Sequence, residues 1–81
     1  MKVRVQMFAV ARELTGQSVV EIELGERACL SDLRAALQRK YPSLGSWLPR
    51  IAFAVGAEYA DDAAQLAEGM EVACIPPVSG G

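Results

Sequence analysis

Histidine is absent from this 81-residue sequence, cysteine occurs only twice, and aromatic residues make up 6% of it. Without histidine, Ser–His and Cys–His nucleophilic catalysis are excluded. Cys29 and Cys74 stand in no CxxC or other ligand spacing, so no metal site is expected. They suit small apolar fillers better than a single disulfide. Eight Lys and Arg are scattered against ten Asp and Glu, a net charge of −2, and form no basic cluster for nucleic acid. No apolar run has the length of a membrane span, and MKVRV leads into a strand pattern rather than a secretory leader. The expectation is a cytoplasmic protein with neither membrane nor nucleic acid as partner.

What is present suffices for one small domain. Hydrophobic residues reach 52% and charged residues 22%, enough for a core in a chain that buries about 60–65% of its unfolded surface. Residues 2–8 alternate, with Val3, Val5 and Met7 on one face and Lys2, Arg4 and Gln6 on the other, the period of a half-buried strand. Ala9–Leu14 reads as a short helical turn stopped by Thr15-Gly16-Gln17. Val20, Ile22 and Leu24 alternate with Glu21 and Glu23 as a second strand, close enough to the first for antiparallel pairing.

Ser31 is the expected N-cap of the one long helix, with Asp32 in its first turn. Leu33, Ala36, Leu37 and Tyr41 recur at helical spacing, leaving Arg34, Gln38 and Arg39 to water, and Pro42 ends the run. A loop over residues 43–50 follows, anchored by Leu44, Trp47 or Leu48. Ile51, Phe53 and Val55 make a third strand, residues 58–60 a short fourth, and residues 70–75 the last. One helix and returning strands predict an α+β fold, a mixed sheet covering one helix face, with the last strand parallel to the first.

The closing stretch, ACIPPVSGG (73–81), has neither helix nor strand pattern after Pro76. A frayed end is one reading; a working terminal carboxylate is the other. Two prolines favour an extended polyproline II path, and six residues at about 3.3 Å each reach roughly 20 Å. Glycines without Cβ can thread a narrow channel. A carboxylate needs activation before it can accept sulfur or an amine, and no GxxxxGK[ST] loop is present, so activation would come from another protein. Ser79 has no base to make it a nucleophile.

The stretches VQMFAVAREL-TG, KYP, AV-G and above all EGMEVACIPPVSGG carry a likeness that spans the whole chain. The sequence resembles the MoaD family, the small sulfur-carrier subunits of molybdopterin synthase. That resemblance implies a ubiquitin-like β-grasp domain over residues 1–75 with a flexible tail over 76–81. It implies a chain that is not catalytic by itself and binds no cofactor, ATP being used by an E1-like adenylating enzyme. Gly81 would be adenylated and then thiocarboxylated, with Gly80 as a slim neck and Ser79 and Val78 as the rest of the tail. The tail would enter the large synthase subunit and pass sulfur to cyclic pyranopterin monophosphate, giving the molybdopterin dithiolene. Two positions depart from the family: Gly56 stands where asparagine is common, and Met70 where an acidic residue is common.

Alternation also marks a surface. Phe8 continues the outward set Lys2, Arg4, Gln6, and Ile75 continues Glu71, Ala73; both break a polar or small pattern. On parallel neighbouring strands they would meet where the tail departs, with Tyr59 as a third member and Arg12 as a charged rim contact. Such a patch suggests docking; cover by residues 9–14, making a satellite core, is the alternative. Two rival functions share the fold: a thiamine-type sulfur carrier, and a ubiquitin-like modifier joined to lysines through Gly81.

Overall fold

The period-two pattern at the start of the chain becomes β1 (Lys2–Met7), paired antiparallel with β2 (Val19–Glu23), Val5 opposite Val20 and Val3 opposite Ile22. Between them lies α1 (Ala9–Thr15), closed by Gly16 at φ 72°, a left-handed conformation that glycine adopts freely. The long helix α2 (Leu30–Lys40) crosses to β3 (Ala52–Val55), β4 (Glu58–Ala60) and β5 (Glu71–Ile75). The computed structural model describes residues 1–77, so Val78, Ser79, Gly80 and Gly81 lie outside the described residues.

The five strands form one sheet in the order β2-β1-β5-β3-β4. Its centre is β5, parallel to β1 and antiparallel to β3, with Val5 opposite Val72 and Phe53 opposite Cys74. The expected α+β architecture with a parallel first and last strand is therefore present. One face carries Val3, Val5, Met7, Val20, Ile22, Phe53, Val72 and Cys74, all buried with Leu30, Leu33, Ala36 and Leu37 of α2. At about 25 cal/mol per Å² of apolar surface, each fully buried Leu or Val contributes roughly 1.5–3 kcal/mol.

Three local expectations need correction. Helix α2 is capped by Cys29 rather than Ser31. The Asp32 carboxylate accepts the Cys29 N–H at 2.9 Å, so the acidic residue in the third helical position fixes the start. Arg34 does not face water freely. Its guanidinium lies 4.8 Å from the centre of the Phe53 ring, donates to Asp62 at 2.8 Å and also bonds the Leu48 carbonyl. A guanidinium whose flat face stacks on an aromatic ring while its edge donates to Asp62 and Leu48 explains the departure from simple helical periodicity. β1 and β5 are also one residue shorter than read, stopping at Met7 and beginning at Glu71.

The stretch read as a loop after Pro42 contains two 3-10 turns, Pro42–Leu44 and Leu48–Arg50. Leu44 and Leu48 anchor it in the core, and Trp47 packs against it half-buried. Gly56 has φ 64°, so the turn between β3 and β4 makes the demand that asparagine also meets. Met70 packs half-buried against the core, and its carbonyl accepts the Arg4 N–H at 2.9 Å. Among the described residues no helix is long and apolar enough to cross a membrane.

Candidate functional site

β5 runs out of the middle of the sheet, flanked by β1 and β3. Its last residue, Ile75, faces Ala52, and the Met7–Cys74 pairing puts Phe8 beside it at the same end. Phe8 is still extended (φ −121°, ψ 153°), so strand alternation carries through it and turns its ring to the face opposite the core. Beyond the end of β5, Pro76 is buried and Pro77 exposed.

The outer face divides along the strands. Toward the start of β1 it is charged: Lys2 lies opposite Glu23, and Arg4 between Glu21 and Glu71. Gln6 donates from Nε2 to the Glu71 carboxylate at 3.2 Å. Toward the tail end the charges stop. Gln6 pairs with Ala73, Ala73 with Ala54, and Ala54 with Tyr59; the next row is Phe8, Ile75 and Ala52. Phe8 is 45% and Tyr59 74% exposed, while the residues between them are half-buried. Three alanines make a low floor between aromatic rims.

The structure thus brings Phe8 and Ile75 together and puts Tyr59 on the same face, two strands from β5. Arg12 lies on the exposed side of α1, one turn after Phe8, lining a shallow depression with Ala9, Glu13 and Gly16. It stands beside the sheet face rather than on it. Helix α1 does not cover Phe8: its buried residue, Ala11, belongs to the main core. Leu14, 39% exposed, is an apolar surface residue that the sequence left unassigned. A helix of two turns has too little neighbouring structure to cover it.

The thiol of β5 offers no chemistry by itself. Cys74 is fully buried, and desolvation pushes its thiol up to about 11, with the nearby Arg34 charge pulling the other way. The thiolate is the reactive form, so this sulfur is inert at neutral pH. The Cys29 Sγ lies 3.0 Å from Ser31 Oγ, and both cysteines are free. The residues expected to carry the chemistry, Gly81 and Gly80 with Ser79 and Val78, lie outside the described residues.

Comparison with known proteins locates the chain. A family model described as the ThiS family matches residues 5–81. The molybdopterin synthase sulfur carrier subunit of Chlamydomonas reinhardtii is 40% identical, each chain covered completely. Among solved structures, SAMP1 from Haloferax volcanii superimposes with a TM-score of 0.90 at 28% identity, covering both chains fully. A chain of the complex of subunits 1 and 2 of molybdopterin-converting factor from Helicobacter pylori gives 0.71 at 30% identity, again with full coverage of both. With its parallel β5, single long helix and full-length match, the chain belongs to the ThiS family, among the MoaD-type ubiquitin-like sulfur carriers.

Proposed function

We propose that this protein carries sulfur to molybdopterin synthase as a thiocarboxylate on Gly81. In this reading an E1-like enzyme joins the Gly81 carboxylate to the α-phosphate of ATP, releasing pyrophosphate. Hydrosulfide supplied by a donor protein then attacks the acyl carbon, forming the C–S bond as the C–O bond to AMP breaks, and leaves the thiocarboxylate. The carrier docks on the large subunit through Phe8, Ile75 and Tyr59, with Arg12 at the rim, and Val78, Ser79 and Gly80 lead the sulfur to a cyclic pyranopterin monophosphate. The chain supplies reach, docking and the sulfur; the large subunit supplies the reaction site.

The observation that carries this reading is the position of the exposed apolar patch. It sits where β5 delivers Pro76 and Pro77, so one docking event aligns the tail. The similarity to carrier subunits over the full chain supports the same role, and the related subunit 1 is seen in complex with subunit 2. A second reading, a protein modifier attached through Gly81, is favoured by the close superposition on SAMP1 of Haloferax volcanii, a small archaeal modifier protein.

Intact mass after coexpression with the activating enzyme separates these. A carrier gains one sulfur in place of one oxygen, whereas a modifier gives isopeptide-linked adducts in extract. The mechanism itself is tested by sulfur transfer from prepared thiocarboxylate, comparing the native chain with Gly81-deleted and one-alanine-extended forms. Misplacement by about 1 Å can cost about a hundredfold in rate, and one residue shifts the carboxylate by more than about 3 Å. Both altered forms should fold normally and fail to transfer. Near-native product from either would overturn the terminal-carboxylate mechanism.

A further inference from the structure

Ala9 has φ 50°, in the left-handed region that residues with a Cβ seldom occupy. It joins two requirements that conflict. Phe8 before it is extended and turned outward, while Ala11 two residues later is fully buried in the core. The reversal is completed at once: the Phe8 carbonyl accepts the Ala11 N–H at 3.0 Å and the Arg12 N–H at 3.4 Å. On the other side Met7 donates to the Ser18 carbonyl at 2.8 Å, holding the end of β1 in place. Ala9 itself is exposed, so packing of its own methyl does not hold it there. Its neighbours impose the conformation. Arg27 is the other non-glycine residue with positive φ among the described residues, but it lies in an exposed turn with no exposed apolar side chain beside it.

Strain of this kind persists where the surroundings over-determine it, and it clusters at working sites. We infer that Ala9 is a positioning residue: its restricted left-handed backbone fixes the direction in which Phe8 leaves the sheet, so the docking ring is pre-set before the partner arrives. Glycine would relieve the strain but widen the accessible backbone, and the ordering would then have to be supplied during binding. Asparagine tolerates the same conformation while keeping a Cβ, so it should hold Phe8 as alanine does. This inference rests on the proposed docking of the outer face.

The test measures affinity for the purified large subunit of molybdopterin synthase, together with thermal melting of the carrier alone. Phe8→Ala should weaken binding at least about tenfold. Ala9→Gly should melt no lower than the native chain and bind about three- to tenfold more weakly. Ala9→Asn should melt no lower and bind within about twofold of native. In the Phe8→Ala background Ala9→Gly should add less than about twofold, because its effect passes through the ring. Native affinity in Phe8→Ala would sink the docking reading. With Phe8 shown to matter, native affinity in Ala9→Gly, equal losses in the glycine and asparagine variants, or additivity in the double variant would overturn the positioning role. A clear drop in the Ala9→Gly melting temperature would show that Ala9 is not strained.

Discussion

The two faces of one sheet carry opposite instructions. On the inner face Val3, Val5, Val72 and Phe53 are at most 1% exposed, and α2 closes over them. On the outer face, residues one position away along the same strands meet no second layer: Gln6 and Ala73 are half-buried, and Phe8 is 45% exposed. Both sets lie on the same backbone, so the difference comes from side chains alone. The inner face is specified by volume and fails when volume is lost. The outer face is specified by what it leaves uncovered, and it should fail in binding without failing in folding.

The largest effect should come from emptying the inner face. Leu37 is fully buried beneath the sheet, so Leu37→Ala leaves a cavity and should cost about 2–5 kcal/mol. That is a large share of the stability of a small domain. Denaturant unfolding measures it, and a loss far below that range would mean the cavity collapses or α2 contributes less than its burial implies.

The same face should show itself in alkaline pH. Burial first, against a smaller opposing effect of Arg34, raises the Cys74 thiol from its ordinary 9.0 to about 11. The unfolded chain therefore loses this proton before the folded one does. The contribution is fully present below about pH 9 and lost as pH rises toward 11. A shift of that size corresponds to about 2–3 kcal/mol. Comparing stability from pH 8 to 11 in the native protein and Cys74→Ala isolates it, since other groups titrate alike in both. Parallel curves would show that the thiol is not sealed from water.

On the outer face the order of effects should invert. Phe8→Asp or Ile75→Asp should weaken the complex with the large subunit by about 2 kcal/mol or more if these residues anchor it. The melting temperature of the isolated chain should change little, because neither residue is in the buried core. Isothermal titration and thermal melting of the same samples make the test. If both substitutions unfold the chain, the division between the faces is wrong.

Much of this division was legible in the sequence. Strict alternation in KVRVQM and in VVEIE gave the strands and their inward sets, and Phe8 and Ile75 stood out because they broke the outward pattern. Pro76 marked the end of β5, and the α+β layout followed from the element order. What stayed hidden depended on contacts distant in sequence. Cys29 took the cap from Ser31 because Asp32 reaches back to its N–H, a geometry that residue preference alone does not rank. Arg34 was read as a solvent residue because Phe53, Leu48 and Asp62, its partners, come from three later segments. The left-handed conformation of Ala9 had no sign in residue type. Leu66, at 6% exposure, is held in the core by the bond from its N–H to the Ala28 carbonyl, a pairing between segments far apart in sequence.

The smallest effect concerns the margin where the inner face meets solvent. Arg34 closes it over Phe53, and its side chain is 23% exposed while that of Asp62 is 60% exposed. An ion pair with one partner this exposed is screened by water and salt, and such pairs typically contribute about 0–1 kcal/mol. Asp62→Asn should therefore lower stability by no more than about that amount, and added salt should erase most of the difference. Arg34→Ala should cost more, because it removes the guanidinium stacked on Phe53 and the bond to the Leu48 carbonyl as well as the ion pair. Denaturant unfolding of both variants at low and high salt compares these two roles. Equal losses would mean that the charge, rather than the cover over Phe53, accounts for what Arg34 contributes.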